Sequence, residues 1–190
     1  HDVQWLLTQE DERIHYTTDR RRLLPETTQK AIYQSLKNDL ANRGLDLDKI
    51  SIEKDVTTAT LRRILAAQDA DLSLENLENG KAYDSRLLKR LETSIGQIVI
   101  EGKQGSVVLS DTFSQVPIAW LESTANILIP HDEKGAQGLV DLVNGFLRYT
   151  PRSLLEERQG KLQQAQDAYI QNAVEELDGS GYCEVNASSR

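Results

Sequence analysis

Histidine and cysteine, which often serve in catalysis and metal binding, are few in this sequence. The pair His131-Asp132 has donor atoms that suit a transition metal, but the chain holds only two other histidines, His1 and His15. A serine or cysteine nucleophile needs a base within hydrogen-bond reach, and no activating group stands near Cys183 in the sequence. We therefore expect Asp132 to cap a helix. We predict no metal site, no cofactor and no catalytic residue, so an enzymatic function is not favoured.

Charged and aromatic clusters offer binding chemistry instead. Adjacent carboxylates such as Glu156-Glu157 and Glu175-Glu176 point about 100° apart on a helix, so we expect solvated faces there. The run Arg20-Arg21-Arg22 could hold a phosphate, an acidic partner or the carboxylates of the last helix. Trp120 and Phe146 could line a cleft for a small-molecule ligand, because such clefts are mostly apolar.

The longest helical pattern covers residues 151–177 and begins with Pro151, a residue favoured in the first turn of a helix. Small side chains in its narrow apolar stripe allow a second helix to approach closely. The first half is expected to pack on a preceding helix of the same chain. The second half, from about Gln164, could project as an assembly or docking surface. The residues predicted to bind a partner are Leu162, Ala165, Tyr169, Ala173 and Leu177.

A central β-hairpin is predicted at about residues 97–110. Two β-branched runs, Gln97–Glu101 and Ser106–Ser110, flank Gly102 and Gly105, which suit a turn with positive φ. Each run carries three consecutive apolar residues, which indicates cover by helices on both faces. A third strand at about residues 48–53 is predicted from the alternation of apolar and polar residues.

Helices are predicted around this sheet from apolar periodicity and from their start and stop signals. One runs from Pro25 to Gly44 and a second covers residues 55–68. A third is capped by Asp84-Ser85 and ended by Gly96. Residues 133–149 are expected to form the most buried helix. The predicted fold class is therefore α+β and predominantly helical, with a small antiparallel sheet packed by helices and a long C-terminal helix.

Length and charge limit the possible functions. A chain of 190 residues suits one domain with extensions. We predict an N-terminal arm (1–24), a core domain (25–150), the long helix (151–178) and a flexible tail (179–190). The net charge of −8 disfavours nucleic-acid and membrane-surface partners. A single cysteine favours a reducing, cytoplasmic setting. The absence of methionine indicates a processed product, a subcloned domain or a fragment.

These features favour a soluble, non-catalytic protein-binding or assembly module that acts through the last helix and the charged arm. The expected partner is another protein or another copy of the chain. Two alternatives stay open. One is a small-molecule sensor or enzyme with a cleft near Trp120 and Phe146, and the other is a structural subunit of a larger assembly.

Overall fold

The computed structural model describes residues 15, 17–18, 22–101, 105–129 and 137–180. Within these ranges the chain alternates helices with short strands, and helices predominate. The helices are α1 (Glu26–Asn42), α2 (Leu47–Lys54), α3 (Thr58–Gln68), α4 (Ser85–Glu101), α5 (Leu109–Thr112), α6 (Ile118–Leu128) and α7 (Arg152–Ser180). The strands are β1 (Leu74–Asn76), β2 (Ala82–Asp84), β3 (Val107–Val108), β4 (Gly138–Val143) and β5 (Phe146–Pro151).

The predicted fold class is confirmed: the protein is α+β, predominantly helical, with small antiparallel sheets and a long C-terminal helix. Strands β1 and β2 form one sheet, and β3, β5 and β4 form a second sheet in that order. The turn Asn144-Gly145 joins β4 to β5 and has φ angles of 53° and 82°. Positive φ at both central residues is what a type I′ hairpin turn requires, and Asn-Gly is its preferred sequence.

The predicted central hairpin is wrong in its first strand. Residues 97–101 are the last residues of α4, which continues through Gly96. The apolar residues of α4 recur at helical spacing, and this pattern outweighs the β-branched propensity of its last turns. Strand β3 does lie within the predicted second strand, but it pairs with β5. The buried α4 residues are Leu87, Leu88, Leu91, Ile95 and Val99.

The helix predicted at residues 133–149 is also wrong, because residues 138–151 form the β4–β5 hairpin. An apolar run of this length is compatible with a helix or a strand, and the Asn144-Gly145 turn decides between them. The segment is not fully buried either, since Leu139 and Leu142 are exposed. Residues 133–136 lie outside the described part of the chain.

The third strand predicted at residues 48–53 is helix α2. The Asp46 side chain accepts a hydrogen bond of 3.0 Å from the backbone N–H of Lys49, which caps the helix start. Asp55 ends the helix in the left-handed region with φ of 52°. These two local caps select a helix where the apolar pattern alone indicated a strand.

The buried side chains form two clusters that meet at β2. Ala82 of β2 packs in the N-terminal cluster, which draws mainly on α1, α2 and α3, and Tyr83 packs in the C-terminal cluster. The N-terminal cluster contains Ile32, Leu36, Leu40, Leu45, Leu47, Val56, Leu61, Ile64, Leu65 and Ala82. The C-terminal cluster contains Tyr83, Leu87, Leu88, Leu91, Ile95, Val99, Leu109, Phe113, Val116, Leu121, Ala125, Ile129, Leu147 and Tyr149.

The segment before α1 is bonded to the core at several described positions. His15 and Thr17 are buried. The backbone N–H of Leu24 donates to the His15 carbonyl at 2.8 Å, and that of Thr18 donates to the Asp55 carbonyl at 3.0 Å. None of the described helices is long and apolar enough to cross a membrane.

Candidate functional site

Helix α7 leaves the core after its first turn. It follows β5 directly and contacts β4 and β5, and Leu154 and Leu155 are half-buried. From Glu156 to Gly179 its side chains are exposed, apart from the half-buried Ala173. At a rise of 1.5 Å per residue, this exposed part is roughly 36 Å long. The predicted packing of the first half on a preceding helix is therefore wrong, because the preceding segment is a hairpin and, within the described part of the chain, contact is limited to the start of α7.

The exposed part of α7 carries an apolar face. Its five large apolar side chains each keep between 48 % and 60 % of their surface exposed. Because successive residues of a helix turn by about 100°, the five residues predicted to bind a partner lie within an arc of roughly 120°. Two further residues, Ile170 and Val174, widen this arc to roughly 180°. We call the whole set the association face: Leu162, Ala165, Tyr169, Ile170, Ala173, Val174 and Leu177.

Local interactions stabilise α7 only slightly. Salt bridges of 2.8 Å and 2.6 Å join Arg152 to Glu156 and Lys161 to Glu157, each one turn apart. Such exposed pairs contribute little to the stability of a helix. Gly160 in the helix interior costs about 1 kcal/mol relative to alanine, which offsets them. A helix of this kind gains most of its stability from packing, so the exposed part of α7 would be more stable with a partner.

A cleft of about 390 Å³ lies beside α1 and the start of α4. At one side of it, Arg86 Nη2 lies 2.6 Å from Asp69 Oδ2 and 2.6 Å from Asp84 Oδ2. Asp84 is only 4 % exposed, and it also accepts a hydrogen bond of 2.9 Å from the backbone N–H of Arg86. The residues around the cleft are Tyr33, Lys37, Leu40, Ala41, Asp69, Asp84, Arg86 and Arg90.

Three charged groups of this cleft, Asp69, Asp84 and Arg86, already satisfy one another. The guanidinium of Arg86 donates from all three of its nitrogens to the two carboxylates. Hydrogen bonding to Asp84 and Asp69 raises the pKa of Arg86, and the hydrogen bond from Arg86 lowers the pKa of Asp69. Since Asp69 follows the last residue of α3 and Asp84 precedes the first residue of α4, the cluster ties these helix ends together.

Replacing Arg86 with glutamine is expected to lower the free energy of unfolding by about 1–3 kcal/mol, because Asp84 would lose its cation at a buried position. Arg43→Gln is the matched control. Arg43 pairs with Asp39 on an exposed face of α1, so its loss should lower the free energy of unfolding much less than the loss of Arg86. Urea unfolding at neutral pH measures both values. Equal effects of the two substitutions would contradict the assigned role of Arg86.

The same variant should change the acid side of the stability profile. The pKa of the Asp69 carboxyl is lower in the folded protein than in the unfolded chain. The contribution of Asp69 to the free energy of unfolding is therefore fully present above the unfolded pKa of about 4. It is lost as pH falls through the lower folded pKa. Without Arg86, this loss below about pH 4 should shrink. An unchanged acid slope in Arg86→Gln would contradict the assignment.

The structure does not bring the predicted ligand residues to this cleft. Trp120 on α6 is half-buried against the C-terminal cluster, and Phe146 at the start of β5 is 49 % exposed. Neither lines the cleft. Arg22 is exposed, and its backbone N–H donates to Thr17 Oγ1 at 3.2 Å. Arg20 and Arg21 lie outside the described residues.

Other sites weighed from the sequence fall on undescribed residues as well. Both His131-Asp132 and Cys183 lie there. Among the residues that are described, no group of three or more histidine, cysteine, aspartate or glutamate side chains is arranged to hold a metal ion.

Sequence reasoning missed two kinds of residue at these sites. Ile170 and Val174 could have been found from their four-residue spacing, which continues the helical stripe. The Arg86 cluster carried no local signal, because Asp69 and Arg86 are brought together only by the fold.

No protein-family model matches the chain, and no curated protein matches it at a significant level. The function is therefore argued from the residues and their geometry.

Proposed function

We propose that the protein is a non-catalytic assembly module whose projecting helix α7 binds another helix through the association face. The observation that supports this is the exposure of that face along a helix that the core does not cover. Exposed apolar side chains grouped on one face, with polar residues among and around them, are typical of protein interaction sites.

The shape of the face suits a helical partner. Ala165 and Ala173 interrupt the larger side chains, and small residues allow two helix axes to approach to about 8–10 Å. Each large apolar side chain that passes from exposed to buried contributes about 1.5–3 kcal/mol. Leu162 and Tyr169 lie one heptad apart, so both can contact the same partner helix. The opposite face of α7 carries glutamine and carboxylate side chains, which stay in water.

The N-terminal arm is a second contact surface in this proposal. Arg22 is exposed, and it follows Arg20 and Arg21 in the sequence. Guanidinium groups bind carboxylates in a fixed, two-pronged geometry, so an acidic partner segment would suit the arm. A structural subunit of a larger assembly would use the same association face and would differ in stoichiometry.

Site-specific photo-cross-linking tests the proposal whatever the identity of the partner. A photoreactive amino acid replaces Gln166, which lies in the middle of the association face, in the full chain expressed in cells of the source organism. The matched control places the same amino acid at Gln171, on the opposite side of the helix. We expect a covalent product with a second polypeptide from position 166 and little from position 171. Equal yields at the two positions, or no product from position 166, would contradict the proposal.

A further inference from the structure

We infer that the occupant of the association face is α7 of a second copy of this chain, paired antiparallel about a two-fold axis near residue 167. This inference rests on the proposed function, and it adds the partner, the orientation and the register. Three features of α7 support it: the distribution of charge, the placement of small and large side chains, and one oppositely charged pair at the edge of the face.

Charge is distributed unevenly along α7. Residues 164–180 contain four carboxylates and no lysine or arginine, whereas residues 152–163 contain three cations and two carboxylates. A parallel pair would place the two acidic halves side by side, where like charges repel. An antiparallel pair places each acidic half beside the half that carries the cations. Electrostatics therefore favours the antiparallel orientation.

Side-chain size agrees with one antiparallel register. A two-fold axis near residue 167 places Leu162 of one copy opposite Ala173 of the other, and Ala165 opposite Tyr169. In each case a large side chain meets a small one, which is how helix interfaces reach the packing density of a protein interior. The two-fold symmetry repeats both pairings, as expected for an isologous interface.

The same axis brings a cation and a carboxylate together at one edge of the face. Arg158 and Glu176 are five turns apart on α7, so they share one angular position, which lies between those of Ala165 and Tyr169 near one edge of the association face. Residues on the same side meet in an antiparallel pair, and the axis near residue 167 places Arg158 opposite Glu176. Two such contacts form in each dimer because the interface is symmetric.

Charge reversal of this pair tests the inference in the purified full chain, with dissociation constants measured by sedimentation equilibrium. We expect Arg158→Glu and Glu176→Arg each to weaken the dimer roughly 5- to 20-fold, because both contacts become repulsive. The double variant R158E/E176R should return to within about threefold of the wild type, because both attractive contacts are regenerated with reversed sign. Glu175→Arg is the matched control on the opposite side of α7 and should change the constant by less than about twofold. All three substituted positions are exposed, and circular dichroism checks that each variant is folded.

Two results would overturn the inference. A wild-type chain that stays monomeric at about 100 μM, a concentration at which even a weak pairing is populated, would exclude the self-pairing. A dimer that the double variant fails to restore would exclude the antiparallel register. Neither result would overturn the proposed function, because a cross-link from position 166 to a different polypeptide would still identify α7 as a docking helix.

Discussion

Truncating Tyr149 to alanine is expected to lower the free energy of unfolding by about 3–5 kcal/mol, the loss typical of a large buried ring. The ring is fully buried in the C-terminal cluster. The hydroxyl donates to the carbonyl of Val99 at 3.3 Å and to that of Gln137 at 3.1 Å. Tyr149 thus connects the end of α4 to the β4–β5 hairpin, on which the first turn of α7 packs.

The matched control for this truncation is Tyr149→Phe, which keeps the ring and removes only the hydroxyl. We expect it to cost about 1 kcal/mol, because the two carbonyls lose one donor. Urea unfolding of both variants separates the contribution of packing from that of hydrogen bonding. A Tyr149→Ala variant within about 1 kcal/mol of the wild type would contradict the central place of Tyr149 in the cluster.

Replacing Gly44 with alanine is expected to destabilise the fold by about 1–3 kcal/mol, because the added methyl group has no room. A Cβ atom on Gly44 would lie 2.6 Å from Cε1 and 2.7 Å from Cε2 of Tyr83. The Tyr83 ring cannot move aside easily, since it is fully buried and its hydroxyl donates to the Gln115 carbonyl at 3.0 Å. Thermal or urea unfolding measures the loss.

Gly96→Ala is the control for this substitution. Gly96 lies inside α4, and a Cβ atom there would meet nothing within 4 Å. We expect a gain of about 0.5–1 kcal/mol, because alanine is the better helix former. If both variants changed stability in the same direction, the close contact between Gly44 and Tyr83 would not be the cause.

Predictions from the sequence were correct where one strong signal acted alone. Pro151 and the long apolar stripe predicted α7, and the helix begins at Arg152, directly after that proline. The start of α4 was predicted from Asp84-Ser85, and the Asp84 carboxylate does accept the hydrogen bond from the Arg86 N–H. Both signals are local, so the rest of the chain did not need to be known.

Predictions failed where two patterns competed within a short apolar run. Ile98, Val99 and Ile100 are β-branched, yet Val99 continues the buried stripe of α4, and its packing in the C-terminal cluster decided in favour of a helix. At residues 138–151 the error was in the other direction: a helix was predicted for most of this segment, and the Asn144-Gly145 turn makes it a hairpin. A difference in intrinsic propensity of about a few tenths of a kcal/mol per residue cannot decide between a helix and a strand in such a run.

The candidate site was predicted in part. Five residues of the association face follow from periodicity along a single helix. The exposure of that face could not be predicted, because it depends on whether another element of the chain covers it. The Arg86 cluster was out of reach for a related reason: Asp69 and Arg86 meet only because the fold brings the end of α3 beside the start of α4.

The central claim is that the association face of α7 holds two copies of the chain together. Sedimentation equilibrium of the full chain and of a variant with Leu162→Gln, Tyr169→Gln and Leu177→Gln tests it most directly. We predict about twice the chain mass of 21.4 kDa for the wild type and the single-chain mass for the variant. Glutamine is a good helix former, so α7 itself should persist. The same mass for both proteins would contradict the account.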